Sequence, residues 1–291
     1  MAAILLDGEA LAARERAELS KRVAVLKAAG VTPGLGTILV GDDGPSARYV
    51  AMKHQDCAEI GVESVHEELS GDVTQEHLES VVHSLSANPA VDALLIQLPL
   101  PGHLSEERAL LAVDPDKDVD GLHPVNLGRL VMGAPGPLPC TPAGIVELLH
   151  AYDVPVSGQH VVIVGRGLTI GRPLALLLAL KRPGLNAAVT VVHTGVANLG
   201  EYVRQGDIVV AAAGRANLVT RDMVRSGAAV VGAGVSREGK RLLSDVEESV
   251  AEVAGWITPR IGGVGPMTRA MLLRNAVLAA ERRAAALGGG K

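Results

Sequence analysis

Phenylalanine is absent from the 291 residues of this chain, and one Trp and three Tyr are its only aromatic residues. Without clustered rings there is no stacking platform for single-stranded nucleic acid. A basic excess is missing too: 27 Lys and Arg stand against 32 Asp and Glu, a net charge of -5 with no long run of one sign. That balance excludes the cationic footprint that phosphate backbones require. No apolar run reaches the roughly 18 residues of a membrane span. The opening stretch has neither the basic n-region nor the cleavage site of a secretory signal. The expectation is a cytoplasmic protein that binds neither nucleic acid nor membrane. Cysteine is scarce as well. Cys57 and Cys140 allow at most one internal disulfide, and packed thiols are the expected state.

What the chain has in quantity is aliphatic. Hydrophobic residues make up 48% of it and the mean hydropathy is +0.28. Leu, Val, Ile and Ala must therefore build the core, each buried branched side chain contributing roughly 1.5 to 3 kcal/mol. At about 100 to 200 residues per domain, the length suggests two domains.

Helical and strand-type patterns alternate along the first half. Helices are expected over 11–26, 46–60 and 74–85, the first two closed by Gly30 and Gly61, and strands over 35–40, 62–69 and 91–98. This order predicts a parallel sheet covered by helices. Two loop-rich stretches, 99–102 and 114–121, follow strand ends, where α/β proteins place their sites. Residues 133–139 hold three Pro and two Gly, so a domain boundary is expected near Pro139. Beyond it, Thr141 reads as an N-cap before a first-turn Pro142, opening a helix to about Tyr152. A second set then runs strand 161–164, helix 171–181, strand 189–193, helix, strand 208–212, helix, strand 229–232. A long Ala-rich helix over 266–287 ends the pattern and is expected to pack back on the first domain. The fold class is thus α/β in two domains, 1–139 completed by the last helix, and 140–265.

Val161 to Gly171 reads VVIVGRGLTIG, an apolar strand entering a glycine-rich turn and then a helix. Gly165, Gly167 and Gly171 let the backbone approach a pyrophosphate, and the helix N-terminus offers free N–H groups and a partial positive charge. The spacing is one residue longer than the usual GxGxxG fingerprint. An NAD site usually has an acid at the end of the next strand to hold the ribose 2'-hydroxyl. Here that strand ends in Val192, His193 and Thr194, while Arg166 lies inside the glycine turn. NADP is therefore favoured over NAD.

Ser46, Tyr49 and Lys53 stand at i, i+3 and i+7 of one predicted helix and share a stripe. A Tyr-xxx-Lys pair can shuttle protons, because an apolar pocket pushes a lysine toward a near-neutral pKa. Gln97 ends the most apolar strand and is a natural companion at its carboxyl end. The alternating Asp116, Asp118 and Asp120 lack the glycine and terminal glutamate of a calcium loop. His54, His123 and His193 lack zinc spacing. No metal is expected.

These residues lie in segments that resemble the bifunctional methylenetetrahydrofolate dehydrogenase/cyclohydrolase family over essentially the whole length. The segments are SARYVAMK (46–53), QLPLP (97–101), DKDVDGL (116–122), PCTPAG (139–144), GRGLTIGRP (165–173) and GGVGPMT (262–268). The resemblance implies an amino-terminal folate domain and a Rossmann-type NADP domain. It implies oxidation of 5,10-methylenetetrahydrofolate by NADP to the methenyl form, then hydrolysis to 10-formyltetrahydrofolate, in a cytoplasmic homodimer. Carried onto this sequence, Lys53 is the general acid/base of hydrolysis, Tyr49 stacks on the folate ring system, Gln97 tunes Lys53, and Asp120 grips the pterin nitrogens. Ser46 and Pro266 join the substrate set. The cofactor set comprises Gly165, Arg166, Gly167, Ile170, Gly171, His193, Thr194, Gly214, Val235 and Gly263, with Arg166 and Thr194 near the 2'-phosphate.

The chain departs from the family pattern at several places. Gly232 stands where an Asp is usual, Ser244 where the family has the Gly of GDV, Arg260 and Ile261 where it has Val-Pro, and Gly167 where a Ser usually follows the arginine. Two other readings stay open at this point. One is a catalytically silent NADP-binding paralogue. The other is a short-chain ketoreductase, which also uses Tyr-xxx-Lys but places it after the nucleotide fingerprint.

Overall fold

The computed structural model describes residues 2–239 and 241–288. A two-residue strand β1 (Ile4–Leu5) and helix α1 (Gly8–Ala28) open the chain, followed by β2 (Gly34–Val40), α2 (Gly44–Ile60), β3 (Glu63–Leu69), α3 (Gln75–Ala87) and β4 (Ala93–Ile96). Three helices come next: α4 (Glu106–Leu111), α5 (Pro124–Val131) and α6 (Cys140–Ala151). The second half runs β5 (His160–Val164), α7 (Gly171–Leu178), β6 (Ala188–Val192), α8 (Leu199–Val203), β7 (Ile208–Ala211) and β8 (Ala229–Gly232). A hairpin of β9 (Val235–Glu238) and β10 (Arg241–Ser244), then β11 (Trp256–Ile257) and α9 (Val264–Gly288), complete it.

The chain divides into two compact units. One comprises residues up to 12, 130–134 and 139–268; the other comprises 13–129, 135–138 and the residues from 269 onward. Placing residues up to 12 with the later half differs from a first domain starting at residue 1. The cause is strand pairing: β1 lies parallel to β11, with Ile4 opposite Trp256.

In the unit containing α2, the sheet order is β3-β2-β4, all parallel. Every residue of β2 and of β4 is buried, as expected of parallel strands covered on both faces. One face is closed by Val82, Leu78, Leu104 and Ala109 against Ile38, Leu94 and Ile96. Polar anchors tie α9 to this unit. Arg283 forks onto the buried Asp92 at 2.6 and 3.0 Å, and Asp92 also accepts the Gly34 N–H. Arg22 forks onto Glu281, and Arg274 reaches Glu15 at 2.7 Å. The last helix thus packs on the first domain.

The other unit holds a six-stranded parallel sheet, β1-β11-β8-β7-β5-β6. Its core is built mostly from valine, including Val162, Val164, Val192, Val209, Val230 and Val246. Aliphatic packing therefore replaces the missing rings.

Three local expectations change. The segment between β7 and β8 forms only a 3-10 turn at Arg221–Met223 where a helix was expected, because Gly214, Asn217 and Gly227 all adopt positive φ there. Thr141 does not cap α6, which starts two residues earlier than expected, at Cys140 after Pro139. The Thr268 hydroxyl spends its hydrogen on the Val264 carbonyl, so Thr141 donates to Thr268 at 3.0 Å instead. Helices α4 and α5 occupy stretches to which the periodicity assigned no element. Cys57 and Cys140 are both buried and are not joined in a disulfide.

Candidate active site

Helix α2 is set at both ends. The Asp43 carboxylate caps it by accepting the Ser46 N–H at 2.9 Å, and Gly61 ends it in the left-handed conformation at φ 84°. Between these ends, Ser46 and Lys53 are buried and Tyr49 is half-buried. The Lys53 Nζ lies 5.0 Å from the Tyr49 ring centroid and donates to Gln97 Oε1 at 3.2 Å. The other end of that amide is committed, since Gln97 Nε2 donates to the Leu98 carbonyl at 2.7 Å. This contact turns Oε1 toward the lysine. Tyr49, Lys53 and Gln97, chosen from sequence, therefore form one cluster at the carboxyl end of β4.

The three alternating aspartates have separate jobs. Asp116 is exposed and pairs with Arg129 at 2.8 Å. Asp118 is buried and accepts from Gly121 N, His123 N and Asn126 Nδ2 at 3.1, 2.8 and 2.9 Å, a knot that shapes the loop. The same segment makes an isolated parallel bridge to β4 at Leu94 and Asp118. The half-buried Asp120 lies two residues past that bridge, toward the end of β4 that carries Gln97. Among the described residues, no group of three or more His, Cys, Asp or Glu is placed to hold a metal ion.

Next to Lys53, the His54 Nε2 lies 2.8 Å from Thr37 Oγ1, and His66 Nδ1 lies 2.8 Å from the same oxygen. Burial, then His66 and Lys53, hold the His54 pKa below the ordinary imidazole value. Burial pushes the Cys57 thiol up to about 12, so it is no nucleophile near neutral pH.

In the second unit, the predicted cofactor residues gather at the carboxyl ends of neighbouring parallel strands. Gly165 follows β5, His193 and Thr194 follow β6, Gly214 follows β7, and Val235, beyond the end of β8, opens β9. β5 lies between β6 and β7, so the chain order switches direction there, the place where open α/β sheets bind ligands. Gly165 has φ 127°, and a Cβ on it would fall 2.1 Å from the Ala212 carbonyl oxygen. A Cβ on Gly171 would meet the Gly165 carbonyl oxygen at 2.1 Å, whereas one on Gly167 meets nothing within 4 Å. The turn is folded tightly at its two ends and open in the middle, as a backbone cradle for a pyrophosphate must be. Arg166 and Thr194 are exposed, and Ile170 and His193 half-buried. The Arg166 carbonyl is anchored by Arg172 Nε at 2.9 Å. Gly214, at φ 65°, stands 4.0 Å from the Val235 carbonyl oxygen when given a Cβ. Gly263 is buried near Thr258, and Pro266 lies half-buried in the first turn of α9.

Residues 6–120 match the tetrahydrofolate dehydrogenase/cyclohydrolase catalytic domain. Residues 139–284 match the NAD(P)-binding domain of the same family. The bifunctional protein FolD of Syntrophotalea carbinolica is 56% identical over 99% of both chains. The chain belongs to the tetrahydrofolate dehydrogenase/cyclohydrolase family. Among solved structures of the family, the bifunctional FolD methylenetetrahydrofolate dehydrogenase/cyclohydrolase of Campylobacter jejuni is 41% identical with TM-score 0.94, covering 97% of this chain and 100% of that one. The Trypanosoma brucei FolD dehydrogenase-cyclohydrolase, complexed with NADP and an inhibitor, is 38% identical with TM-score 0.92, covering 97% and 99%.

Two departures from the family pattern explain each other. A Cβ at Gly232 would lie 2.7 Å from Ser244 Oγ. The volume that an Asp at 232 would take is held by the serine at 244, which accepts the Val246 N–H at 3.1 Å. Arg260 faces Glu248 at 3.9 Å, an exposed pair worth little, and Ile261 is 66% exposed.

One residue of evident importance had no role in the sequence reading. Asp245 is fully buried, and its Oδ2 accepts the N–H groups of Ala213 and Gly214 at 2.6 and 2.8 Å, fixing the loop after β7. Its signal in the sequence was a lone acid flanked by Ser244 and Val246. Gly234 must be glycine beside it, because a Cβ there would fall 1.9 Å from the same oxygen.

Proposed function

We propose that this chain oxidises 5,10-methylenetetrahydrofolate with NADP to the 5,10-methenyl form and hydrolyses that cation to 10-formyltetrahydrofolate. The observation that carries the reading is the Tyr49, Lys53 and Gln97 cluster on a family fold. Folate chemistry is assigned to 1–139 with the helix 266–287, and cofactor binding to 140–265.

Bound NADP supplies the hydride acceptor. The glycine turn of Gly165, Gly167 and Gly171 with Ile170 fits its pyrophosphate, and Arg166 and Thr194, with His193 where an NAD enzyme has an acid, suit a 2'-phosphate. Gly214, Val235 and Gly263 complete the set. On the folate side, Tyr49 offers a ring face to the flat substrate, Asp120 accepts from pterin N–H groups, and Ser46 and Pro266 border the ligand. Positioning supplies most of the dehydrogenase step.

Hydrolysis needs a proton acceptor. An unprotonated Lys53 amine has two hydrogens and one lone pair, and one hydrogen is spent on Gln97 Oε1. The lone pair takes a proton from water as its oxygen bonds to the methenyl carbon. The proton then passes to N5 as the bond from N5 to that carbon breaks. The second proton of the water is released as the formyl group forms on N10, so cation plus water yields neutral product and one proton.

The family resemblance also supports a homodimer acting in the cytoplasm. Among the described residues no helix is long and apolar enough to cross a membrane. The test of the activity is reduction of NADP by methylenetetrahydrofolate, read at wavelengths separating the methenyl form from reduced cofactor. Turnover with NADP is expected, and no turnover with NADP or NAD overturns the reading. Light scattering checks the dimer.

A further inference from the structure

A closed ring of contacts passes through Lys53. Its Nζ donates to Gln97 Oε1 at 3.2 Å. The Gln97 backbone N–H donates to the Ile38 carbonyl at 2.9 Å. Ile38 follows Thr37 on β2, Thr37 Oγ1 lies 2.8 Å from His54 Nε2, and His54 follows Lys53 on α2. The ring joins a helix and two neighbouring strands, and each link is a hydrogen bond or a peptide bond. A helix held to a sheet by apolar packing alone can slide or roll by fractions of an ångström, because dispersion contacts are non-directional. A short polar contact at residue 54 removes that freedom at the turn that carries residue 53.

The partner is well made for the purpose. Thr37 is fully buried in the central strand, with a stiff β-branched side chain. Its hydroxyl has one hydrogen and two lone pairs, and His66 Nδ1, 2.8 Å away from the neighbouring strand, provides its second contact. Thr37 and His66 are register partners across β2 and β3. The two imidazoles meet edge to face with centroids 4.9 Å apart, so each braces the other.

We infer that His54, gripped by Thr37 and His66, is a positioning residue that sets the Lys53 amine against Gln97 for hydrolysis of the methenyl substrate. The inference rests on the reading of Lys53 as the general acid/base. Burial, with His66 and Lys53 beside it, favours a neutral His54, so the ring holds Thr37 through a hydrogen bond without adding a charge next to the lysine.

The experiment compares His54→Leu, Thr37→Val, their double variant, His54→Gln and Lys53→Met in the full-length enzyme, measuring hydrolysis of methenyltetrahydrofolate and thermal unfolding. His54→Leu and Thr37→Val are each expected to lower kcat about tenfold with KM nearly unchanged, as small misplacements of a reacting group do. The double variant is expected to be no slower than the singles, since both break one link. His54→Gln, whose side-chain amide can still reach Thr37, is expected to regain most of the lost kcat, which a simple loss of stability would not predict. Near-wild-type kcat in His54→Leu, a double variant slowed by the product of both losses, or a His54→Gln enzyme as slow as His54→Leu overturns the inference. If Thr37→Val does not fold, the two His54 variants decide. Lys53→Met separates the two readings: continued hydrolysis removes the general-base role itself, whereas its loss alongside a normal His54→Leu removes only the positioning role.

Discussion

Lys53 Nζ and Gln97 Oε1 stand 3.2 Å apart, and the orientation of that amide is fixed by a second hydrogen bond from Gln97 Nε2 to the Leu98 carbonyl. The glutamine can only accept from the lysine. That contact fixes where the lysine nitrogen stands, as a group that exchanges a proton with water needs.

Lys53→Met is accordingly expected to lower hydrolysis of methenyltetrahydrofolate by about 10² to 10⁴-fold, the usual contribution of a positioned acid or base. Some hydride transfer should persist, because that step moves no proton through the lysine. Separate assays of the two reactions check this, and unchanged hydrolysis refutes the role.

Tyr49→Ala should raise the KM for folate substrates far more than Tyr152→Ala or Tyr202→Ala. By analogy with base stacking, a lost ring face costs about 1 to 3 kcal/mol. Tyr152 is occupied elsewhere, its hydroxyl accepting from Asp7 N and donating to Asp7 O, both at 3.1 Å, and Tyr202 is an exposed residue of α8. Steady-state kinetics of the three variants decide it.

Gly232→Asp alone should destabilise the nucleotide unit by roughly 1 to 3 kcal/mol through overpacking against Ser244. Combining it with Ser244→Gly should recover most of that loss, a coupling visible in a double-mutant cycle of melting temperatures. Additive losses would mean that the two positions do not share one volume.

Arg166→Ala should weaken binding of NADP more than that of NAD, since only the former carries the 2'-phosphate. Titrations with both nucleotides measure the ratio; an equal loss for both would place the guanidinium elsewhere.

Cys57 offers a pH prediction. Its thiol is raised from 9.0 to about 12 in the folded chain, so the folded state holds its proton where the unfolded state releases it. The stability this contributes is complete below about pH 9 and is lost as pH rises through about 12. Wild type should therefore lose melting temperature between pH 9 and 11 more steeply than Cys57→Ala. A thiol reagent at pH 8.5 should label Cys57 only after unfolding.

Much of the fold was readable from periodicity. The runs that became β4, β5 and β8 are aliphatic almost throughout, β2 is aliphatic apart from Gly34, Gly36 and Thr37, and Gly61 marked the end of α2 where a left-handed residue was needed. Two-residue strands such as β1 and β11 carry too few positions for any period, so their pairing was invisible. The Thr141 cap was misread because the rival acceptor, Thr268, lies far away in sequence.

The candidate site was legible to the extent that its members share a local element. Ser46, Tyr49 and Lys53 follow helical spacing, and the glycine turn is a contiguous motif. His54, Thr37 and His66 sit on three elements, and Asp245 serves a loop some thirty residues before it, so no local pattern could couple them.

By itself, then, the sequence determined the aliphatic core, the alternation of helix and strand, the glycine cradle and the helix stripe that carries Lys53, because each depends on residues within a few turns of one another. Only the tertiary structure decided which way the Gln97 amide points, which aspartate is a structural knot, how Gly232 and Ser244 share one space, and that Thr37 joins His54 to His66. Those depend on distances between segments brought together by packing, and side-chain chemistry alone does not encode who the neighbour will be.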